Sequence, residues 1–270
     1  MSKNSNSFTD KLQSLFATGA ILISAAIAFA VYYMIMGNPA NFEGGNAEGA
    51  PLPGNYLAMI YKGGIIVPIL MTCVLVLLTF TVERFVTIRR ANGKGRINTF
   101  VRQLQAYLAA DQIEEAIVAC DKQRGSLANV MKAGLVRYRD LQNDPNLQKD
   151  QKILALQKEF EEASALELPM LSKNLVIIST LASISVLIGL IGTVLGMIRA
   201  FAALAQAGSP DALALATGIS EALINTAFGI TGSTIAIIMY NYFSSKIDAF
   251  TYKIDEAGFS LVQTFAARTK

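Results

Sequence analysis

Four long apolar runs dominate the chain, and they predict four transmembrane helices. The runs extend over Leu15–Met36, Gly63–Val82, Leu175–Ile198 and Ala212–Ser245. At about 1.5 Å per residue each can cross a hydrocarbon core of roughly 30 Å, and each is too long and too uniformly apolar for a barrel strand. Only the fourth run carries a charge, Glu221. We therefore expect an all-α integral membrane protein.

The first run leaves three interpretations open. Lys3 and Lys11 precede it, as basic residues precede the apolar part of a signal peptide. Its apolar stretch is longer than the usual core of about 7–15 residues in such peptides. The length favours a retained span over a cleaved peptide or a helix lying in the membrane interface.

The positions of Lys and Arg predict the direction of the spans. The stretch 84–173 holds 15 of the 23 basic residues, whereas 37–62 holds only Lys62 and 205–211 holds none. Lys and Arg favour cytoplasmic loops, so we expect both termini on the cytoplasmic side. The predicted segments are a cytoplasmic N-terminus (1–14), an extra transmembrane helix (15–36), an outer loop (37–62), a transmembrane helix (63–83), a cytoplasmic helical domain (84–173), a transmembrane helix (174–204), an outer turn (205–211), a transmembrane helix (212–245) and a cytoplasmic tail (246–270). Arg84, Arg89 and Arg90 follow the second span and are candidates for contact with anionic lipid headgroups.

The sequence of the region 84–173 predicts a set of helices. Residues 100–138 keep apolar positions at three- and four-residue spacing, and Asp111 and Ser126 are predicted N-caps that begin new helices. NDPN (143–146) is a turn signal, and 147–169 is amphipathic up to Pro169. We predict a small helical domain here.

Composition excludes several classes of site. Hydrophobic residues make up 53% of the chain and charged residues only 16%, with a mean hydropathy of +0.42, which is unlike a typical soluble domain. There is no histidine, so His-based catalysis and His metal sites are ruled out. Cys73 and Cys120 lie far apart and are read as free thiols, and no phosphate-binding loop is present. We expect no enzyme activity, no metal and no cofactor.

The third and fourth spans carry small and polar residues on one face each, unlike simple lipid anchors. In the third span this face holds Ser185, Gly189, Gly192 and Gly196, and hydroxyls such as Ser183 and Thr193 accompany it. In the fourth it holds Gly218, Glu221, Asn225, Gly229 and Gly232, with Thr226 on an adjacent face. Small residues let helix backbones approach closely, so the glycines are interpreted as packing residues. The short connection predicts an antiparallel hairpin that brings Thr193 and Thr226 to a similar depth.

Glu221 is the exceptional residue of the fourth span. A carboxylate near the bilayer centre costs about 2.5–3.5 kcal/mol on insertion scales, and such groups usually face an interior that moves ions or protons. The alternative is a protonated Glu221 that holds helices together by hydrogen bonds. Arg199, near the outer end of the third span, is expected to extend toward the interface.

Two segments together resemble a known family. GLIGTVLGMIRAF (189–201) followed by GISEALINTAFGI (218–230) is similar to the paired signatures of the MotA/TolQ/ExbB proton-channel family, with ExbB the closest match. The resemblance extends over roughly residues 95–245. It also includes AYLAADQIEEAIVAC (106–120), which looks like the cytoplasmic helices of that family.

The resemblance implies a subunit of a motor in the bacterial cytoplasmic (inner) membrane, driven by the proton motive force. Such subunits form a ring, here a homo-pentamer, around an ExbD-like single-span partner whose aspartate carries protons. A TonB-like protein then passes the motion to outer-membrane transporters, and the outer loop and turn are periplasmic. By motif position Thr193, Glu221 and Thr226 would line the proton pathway. Asn225, Ser183 and the third-span glycines would support the pore or the helix packing; membrane lipids would be contacted, and no nucleic acid.

The resemblance has departures and rivals. Relatives of the ExbB and TolQ type usually have three spans, and Val186 stands where many have proline. A TolQ-like envelope motor and a MotA-like flagellar stator remain alternatives within the family. Outside it, the alternative is a non-conducting membrane scaffold with Glu221 as a structural acid. A solute carrier is disfavoured because no inverted repeat or pair of broken helices is evident.

Overall fold

The computed structural model describes residues 3–47, 49–142, 144–145, 147–205 and 211–268, and its regular elements there are helices. The α-helices are α1 (Lys3–Ala30), α2 (Tyr56–Tyr61), α3 (Ile66–Ala91), α4 (Ile97–Ala109), α5 (Ile113–Gln123), α6 (Ser126–Gln142), α7 (Lys149–Ser172), α8 (Leu175–Leu204) and α9 (Ala212–Arg268). A π-helical segment, Val31–Met36, follows α1, and two 3₁₀ turns precede α2.

Four helical stretches are long and apolar enough to cross a membrane. They are Ala17–Met36, Ile66–Ala91, Lys149–Leu204 and Ala212–Arg268. Each corresponds to one predicted run, so the all-helical fold with four candidate spans is confirmed, while the ring stays a prediction. Helix α9 continues through the predicted tail to Arg268, so the described part of that tail is helical.

The chain divides into two compact units. The first comprises the described residues of Met1–Thr81 and Ile177–Tyr240, and the second those of Val82–Val176 and Asn241–Lys270. In the first unit, the π-helical segment packs against the end of α2 and the start of α3. The Tyr32 hydroxyl donates to the Tyr61 carbonyl at 2.9 Å, and the two rings stack with centroids 4.6 Å apart. Met36 and Val67 are buried beside them.

The second unit has a conventional helical core built by α4–α7 and the last part of α9. Tyr138 and Phe265 meet edge to face at 4.7 Å between ring centroids. Phe160 covers Gly134 so closely that a Cβ there would collide with the ring. The other fully buried large side chains include Leu104, Met131, Leu135, Leu141 and Leu156. The predicted helical character of this region agrees with the structure.

Arg84 does not face lipid headgroups, contrary to the sequence-based expectation. It is only 2% exposed, and its Nη1 donates to the Leu171 carbonyl at 2.8 Å. Its Nη2 pairs with Glu83 at 2.5 Å. The guanidinium is therefore used inside the second unit, whereas Arg89 and Arg90 are exposed at the end of α3.

The structure corrects the two predicted N-caps, Asp111 and Ser126. Helix α5 begins at Ile113, and Asp111 lies before its start with φ +61°, a left-handed conformation that aspartate tolerates better than most residues. The Asp111 carboxylate accepts a hydrogen bond from Arg268 at 2.6 Å instead of capping the helix. Helix α6 begins at Ser126, so the predicted helix start agrees with the structure, although Ser126 is the first helical residue and not the N-cap that precedes it.

Two predicted connections fall partly outside the described residues. In the turn 143–146 these are Asn143 and Asn146, and in the outer turn 205–211 they are residues 206–210. Helix α7 contains Pro169 and ends three residues later, at Ser172.

The Cys120 thiol is expected to resist alkylation while the second unit is folded. It is 2% exposed, and burial, aided by the nearby Asp121 charge, raises its pKa to about 12. Because the thiolate is the reactive form, labelling at pH 8 should be at least about a hundredfold slower than in denaturant. Iodoacetamide labelling of a Cys73→Ser variant, followed by mass spectrometry, measures this thiol alone. Equal rates in the folded and denatured protein would contradict the burial.

Candidate functional site

Helices α8 and α9 touch through their glycines. A Cβ at Gly196 would lie 2.7 Å from the Ala222 nitrogen and 2.8 Å from the Gly218 carbonyl oxygen. One at Gly189 would lie 2.9 Å from the Asn225 carbonyl oxygen and 3.1 Å from the Gly229 Cα. These neighbours are backbone atoms, which cannot rotate away. The packing interpretation of the glycines therefore agrees with the geometry, and we call this contact the glycine seam.

The glycine seam brings Thr193 and Thr226 together. Their hydroxyls form a hydrogen bond in which either can donate. Thr226 Oγ1 lies 3.1 Å from the Ala222 carbonyl oxygen, and Thr193 Oγ1 lies 3.1 Å from that of Gly189. Each hydroxyl has one proton to donate and two lone pairs that can accept. The two hydroxyls therefore share two protons among three contacts, namely the contact between them and one contact to each carbonyl oxygen. Both residues are half-buried, which leaves the pair within reach of a molecule at the edge of the seam.

Glu221 is buried and paired with Arg199. The Arg199 Nη1 lies 2.5 Å and 2.6 Å from the two carboxylate oxygens. The side chain of Glu221 is 5% exposed and that of Arg199 is 54% exposed. This corrects the expectation that Arg199 simply extends toward the interface. Its guanidinium supplies the positive charge that a buried carboxylate requires.

The loop before α3 closes over this ion pair. Gly64 has φ +75°, and a Cβ there would collide with the Glu221 carboxylate. A cavity of about 560 Å³ opens beside the pair and is also lined by Tyr32, Lys62 and residues of α9 such as Thr217. The Glu221 carboxylate is thus shielded by the loop before α3 and by the π-helical segment. It also borders a cavity through which a small molecule or proton carrier could approach.

Asn225 acts in packing in this structure. It is completely buried, and its Nδ2 donates to the Gly63 carbonyl at 2.9 Å. Its Oδ1 has no hydrogen-bond partner among the described residues. A Cβ at Gly192 would lie 2.5 Å from the Asn225 Cβ. Asn225 therefore connects α9 to the turn between α2 and α3, whereas Ser183 is exposed.

The structure joins the predicted site residues in two separate groups. Thr193 bonds to Thr226, while Glu221 bonds to Arg199. Sequence reasoning missed the second pairing, although the register contained the signal. In an antiparallel hairpin that places Thr193 beside Thr226, the residue six positions after Thr193 lies beside the residue six positions before Thr226. These residues are Arg199 and Ser220, and Ser220 is the neighbour of Glu221. Within the described residues, no group of three or more His, Cys, Asp or Glu side chains could hold a metal.

Half of the chain matches one protein family. Residues 122–256 match the MotA/TolQ/ExbB proton channel family. The matched region contains both hairpin helices, α8 and the first part of α9, and therefore Thr193, Thr226, Arg199 and Glu221.

Individual relatives carry two different names. The chain is 32% identical over 117 residues to the Tol-Pal system protein TolQ of Pseudomonas aeruginosa, covering 43% of this chain and 51% of that protein. It is 40% identical over 83 residues to TolQ of Haemophilus influenzae, covering 31% and 36%. It is 36% identical over 73 residues to the biopolymer transport protein ExbB of Salmonella typhimurium, covering 27% and 30%. The chain thus matches about half the length of these relatives or less.

Proposed function

The chain belongs to the MotA/TolQ/ExbB proton channel family, and from this premise we propose that it is an ExbB-like subunit of an inner-membrane motor driven by the proton motive force. In this proposal it forms a pentameric ring around an ExbD-like single-span partner, with both of its termini in the cytoplasm. A TonB-like protein receives the motion and energises outer-membrane transport. The family membership and the four apolar helices fit a multi-pass membrane protein.

The observation that carries the proposal is the Thr193–Thr226 hydroxyl pair. It lies between two apolar helices, where hydrogen-bonding groups are scarce. A carboxylate on a partner helix that reached this edge of the seam would meet two hydroxyls able both to donate and to accept. Such contacts stabilise the carboxylate in its charged and its protonated form, which a proton carrier must adopt in turn.

The outer faces of α8 and α9 support an assembly. Large apolar side chains are exposed along both helices, including Leu190, Val194, Ile198, Leu223 and Ile230. Lipid tails or neighbouring helices must cover these side chains in a membrane. Ring formation covers part of them with copies of this chain and leaves the partly polar edge of the seam for the single-span partner.

The Arg199–Glu221 pair gives Glu221 an assisting role in this proposal. The guanidinium contacts both carboxylate oxygens, so the ion pair contributes to the local electrostatic field while the partner's aspartate carries the proton.

A TolQ-like envelope motor is the second candidate. The TolQ proteins of P. aeruginosa and H. influenzae match 43% and 31% of the chain, compared with 27% for the ExbB of S. typhimurium. Mass and composition of the complex, gently extracted from its native membrane, separate the candidates through the partner's identity. A ring without any single-span partner would instead support a non-conducting scaffold.

Replacing either seam hydroxyl should lower proton flux by about tenfold or more, since a positioned proton-transfer group typically contributes more than that. Thr193→Val and Thr226→Val keep the side-chain shape and remove the hydroxyl. The measurement is acidification of liposomes containing the chain co-purified with its partner, under an imposed membrane potential. The matched controls, Thr193→Ser and Thr226→Ser, retain the hydroxyl and should retain most of the flux. Full flux in both valine variants, with assembly intact, would refute the site assignment.

A further inference from the structure

A cavity of about 590 Å³ in the second unit is lined by charges of one sign only. It lies between the end of α3, the start of α4 and a stretch of α9. The charged residues of its wall are Arg96, Arg102, Lys246 and Lys253, all of them cations. Four like charges around one space repel one another, and their repulsion is relieved only if an anion enters or solvent screens them.

These cations lack the acidic partners that other basic residues of this unit have. Lys132, Arg139 and Arg268 each pair with an Asp or Glu. None of the four cavity cations forms an ion pair with another described residue. Lys246 lies 5.6 Å from the centroid of the Tyr242 ring, which orients the ammonium without neutralising it.

The start of α4 adds a second source of positive potential. Ile97, Asn98 and Thr99, the first turn of this 13-residue helix, form part of the cavity wall. The N-cap residue is Arg96, which makes no side-chain hydrogen bond to the first turn, and that turn holds no acidic residue. The Thr99 N–H donates to the Arg96 carbonyl, so the N–H groups of Ile97 and Asn98, together with the helix dipole, add positive potential to that of the four side chains.

We propose that this basic cavity binds a phosphate-bearing anion. The ligand is either the headgroup of an anionic phospholipid or a soluble phosphate compound, and both offer the same oxygen acceptors to Arg, Lys and backbone N–H groups. Lys246 directly follows the fourth apolar run, so the cavity begins where the sequence predicts the membrane surface. The proposal uses no residue of the seam or of the Arg199–Glu221 pair and is independent of the function proposed above.

The test compares two probes on the purified full chain. Native mass spectrometry measures retention of phosphatidylglycerol relative to phosphatidylcholine, and equilibrium dialysis measures binding of radiolabelled inorganic phosphate. The variant Arg96→Gln/Lys253→Gln removes two cavity cations, and the control Lys149→Gln/Lys158→Gln removes two exposed cations of α7 that lie outside the cavity wall. We expect the first variant to bind at least about tenfold more weakly, since charge-assisted hydrogen bonds are lost, and the second to bind within about twofold of the original.

Each result has a defined meaning. Selective loss of phosphatidylglycerol assigns the cavity to a lipid headgroup, and selective loss of inorganic phosphate assigns it to a soluble anion. Equal loss in both variants, or no binding of either probe, overturns the proposal. Should the glutamine variant lose its helicity, acetylation of Lys253 in the original chain serves instead. The bound probe should slow this reaction several-fold, and an unchanged rate also overturns the proposal.

Discussion

Replacing Arg199 by Gln should destabilise the first unit by about 2–4 kcal/mol. The substitution leaves the buried Glu221 carboxylate without its cation, and removing one member of a buried pair typically costs about 3–5 kcal/mol. The cost is somewhat lower here because the Arg199 side chain is 54% exposed. The measurement is the free energy of unfolding in mixed micelles, followed by circular dichroism.

Two further variants distinguish ion pairing from loss of packing. Glu221→Gln should cost less than Arg199→Gln, because the half-exposed guanidinium can turn to solvent whereas the buried carboxylate cannot. The double variant Arg199→Gln/Glu221→Gln should recover most of the loss, since two neutral amides can hydrogen-bond to each other. A double variant that is as unstable as the sum of its single variants would contradict a direct interaction.

Adding one methyl group at Gly196 should disrupt the hairpin of α8 and α9. In Gly196→Ala the new Cβ meets the Ala222 nitrogen and the Gly218 carbonyl oxygen, so the helices must separate. Overpacking of this kind costs about 1–3 kcal/mol, against roughly 1 kcal/mol gained from the higher helix propensity of Ala. The larger expected effect is on the Thr193–Thr226 contact, which depends on the same helix separation. Unfolding free energy and proton flux should therefore both fall.

Gly232 provides the matched control on α9. A Cβ there would lie 3.4 Å from Val74 Cγ2 and 3.5 Å from Ser185 Cβ, which are ordinary contacts with side chains. Gly232→Ala should accordingly be neutral or slightly stabilising. If both alanine variants behave alike, close backbone contact is not what the glycines provide.

The spans and the seam could be predicted from sequence because each depends on a repeating pattern. Apolar length alone places the four candidate membrane helices, and small residues at spacings of three and four identify the faces of α8 and α9 that touch. The meeting of Thr193 and Thr226 follows from an antiparallel hairpin and a count of residues from its turn. These inferences use only helix geometry, which varies little between proteins.

The ion pair and the buried arginine could not be predicted in the same way. Arg199 was expected to extend toward the interface because single-sequence rules treat a basic residue near a span end as an anchor. Its true position depends on the loop at Gly64, whose left-handed backbone leaves room for the carboxylate. Arg84 likewise has the sequence context of a membrane-surface residue, and only its contact with Leu171, far along the chain, shows that it is buried. Both cases require knowledge of which distant backbone lies alongside.

The glycine seam separates a rigid framework from a labile hydrogen-bond pattern. The helix backbones are in van der Waals contact, so their spacing is fixed. The donor direction between Thr193 and Thr226, by contrast, reverses by rotation about two C–O bonds, with no movement of heavy atoms. Hydroxyl rotation occurs on a picosecond-to-nanosecond scale, far faster than helix motion. The hydroxyl pair can therefore adjust to a change in the charge of a nearby group without any change in the spacing of α8 and α9.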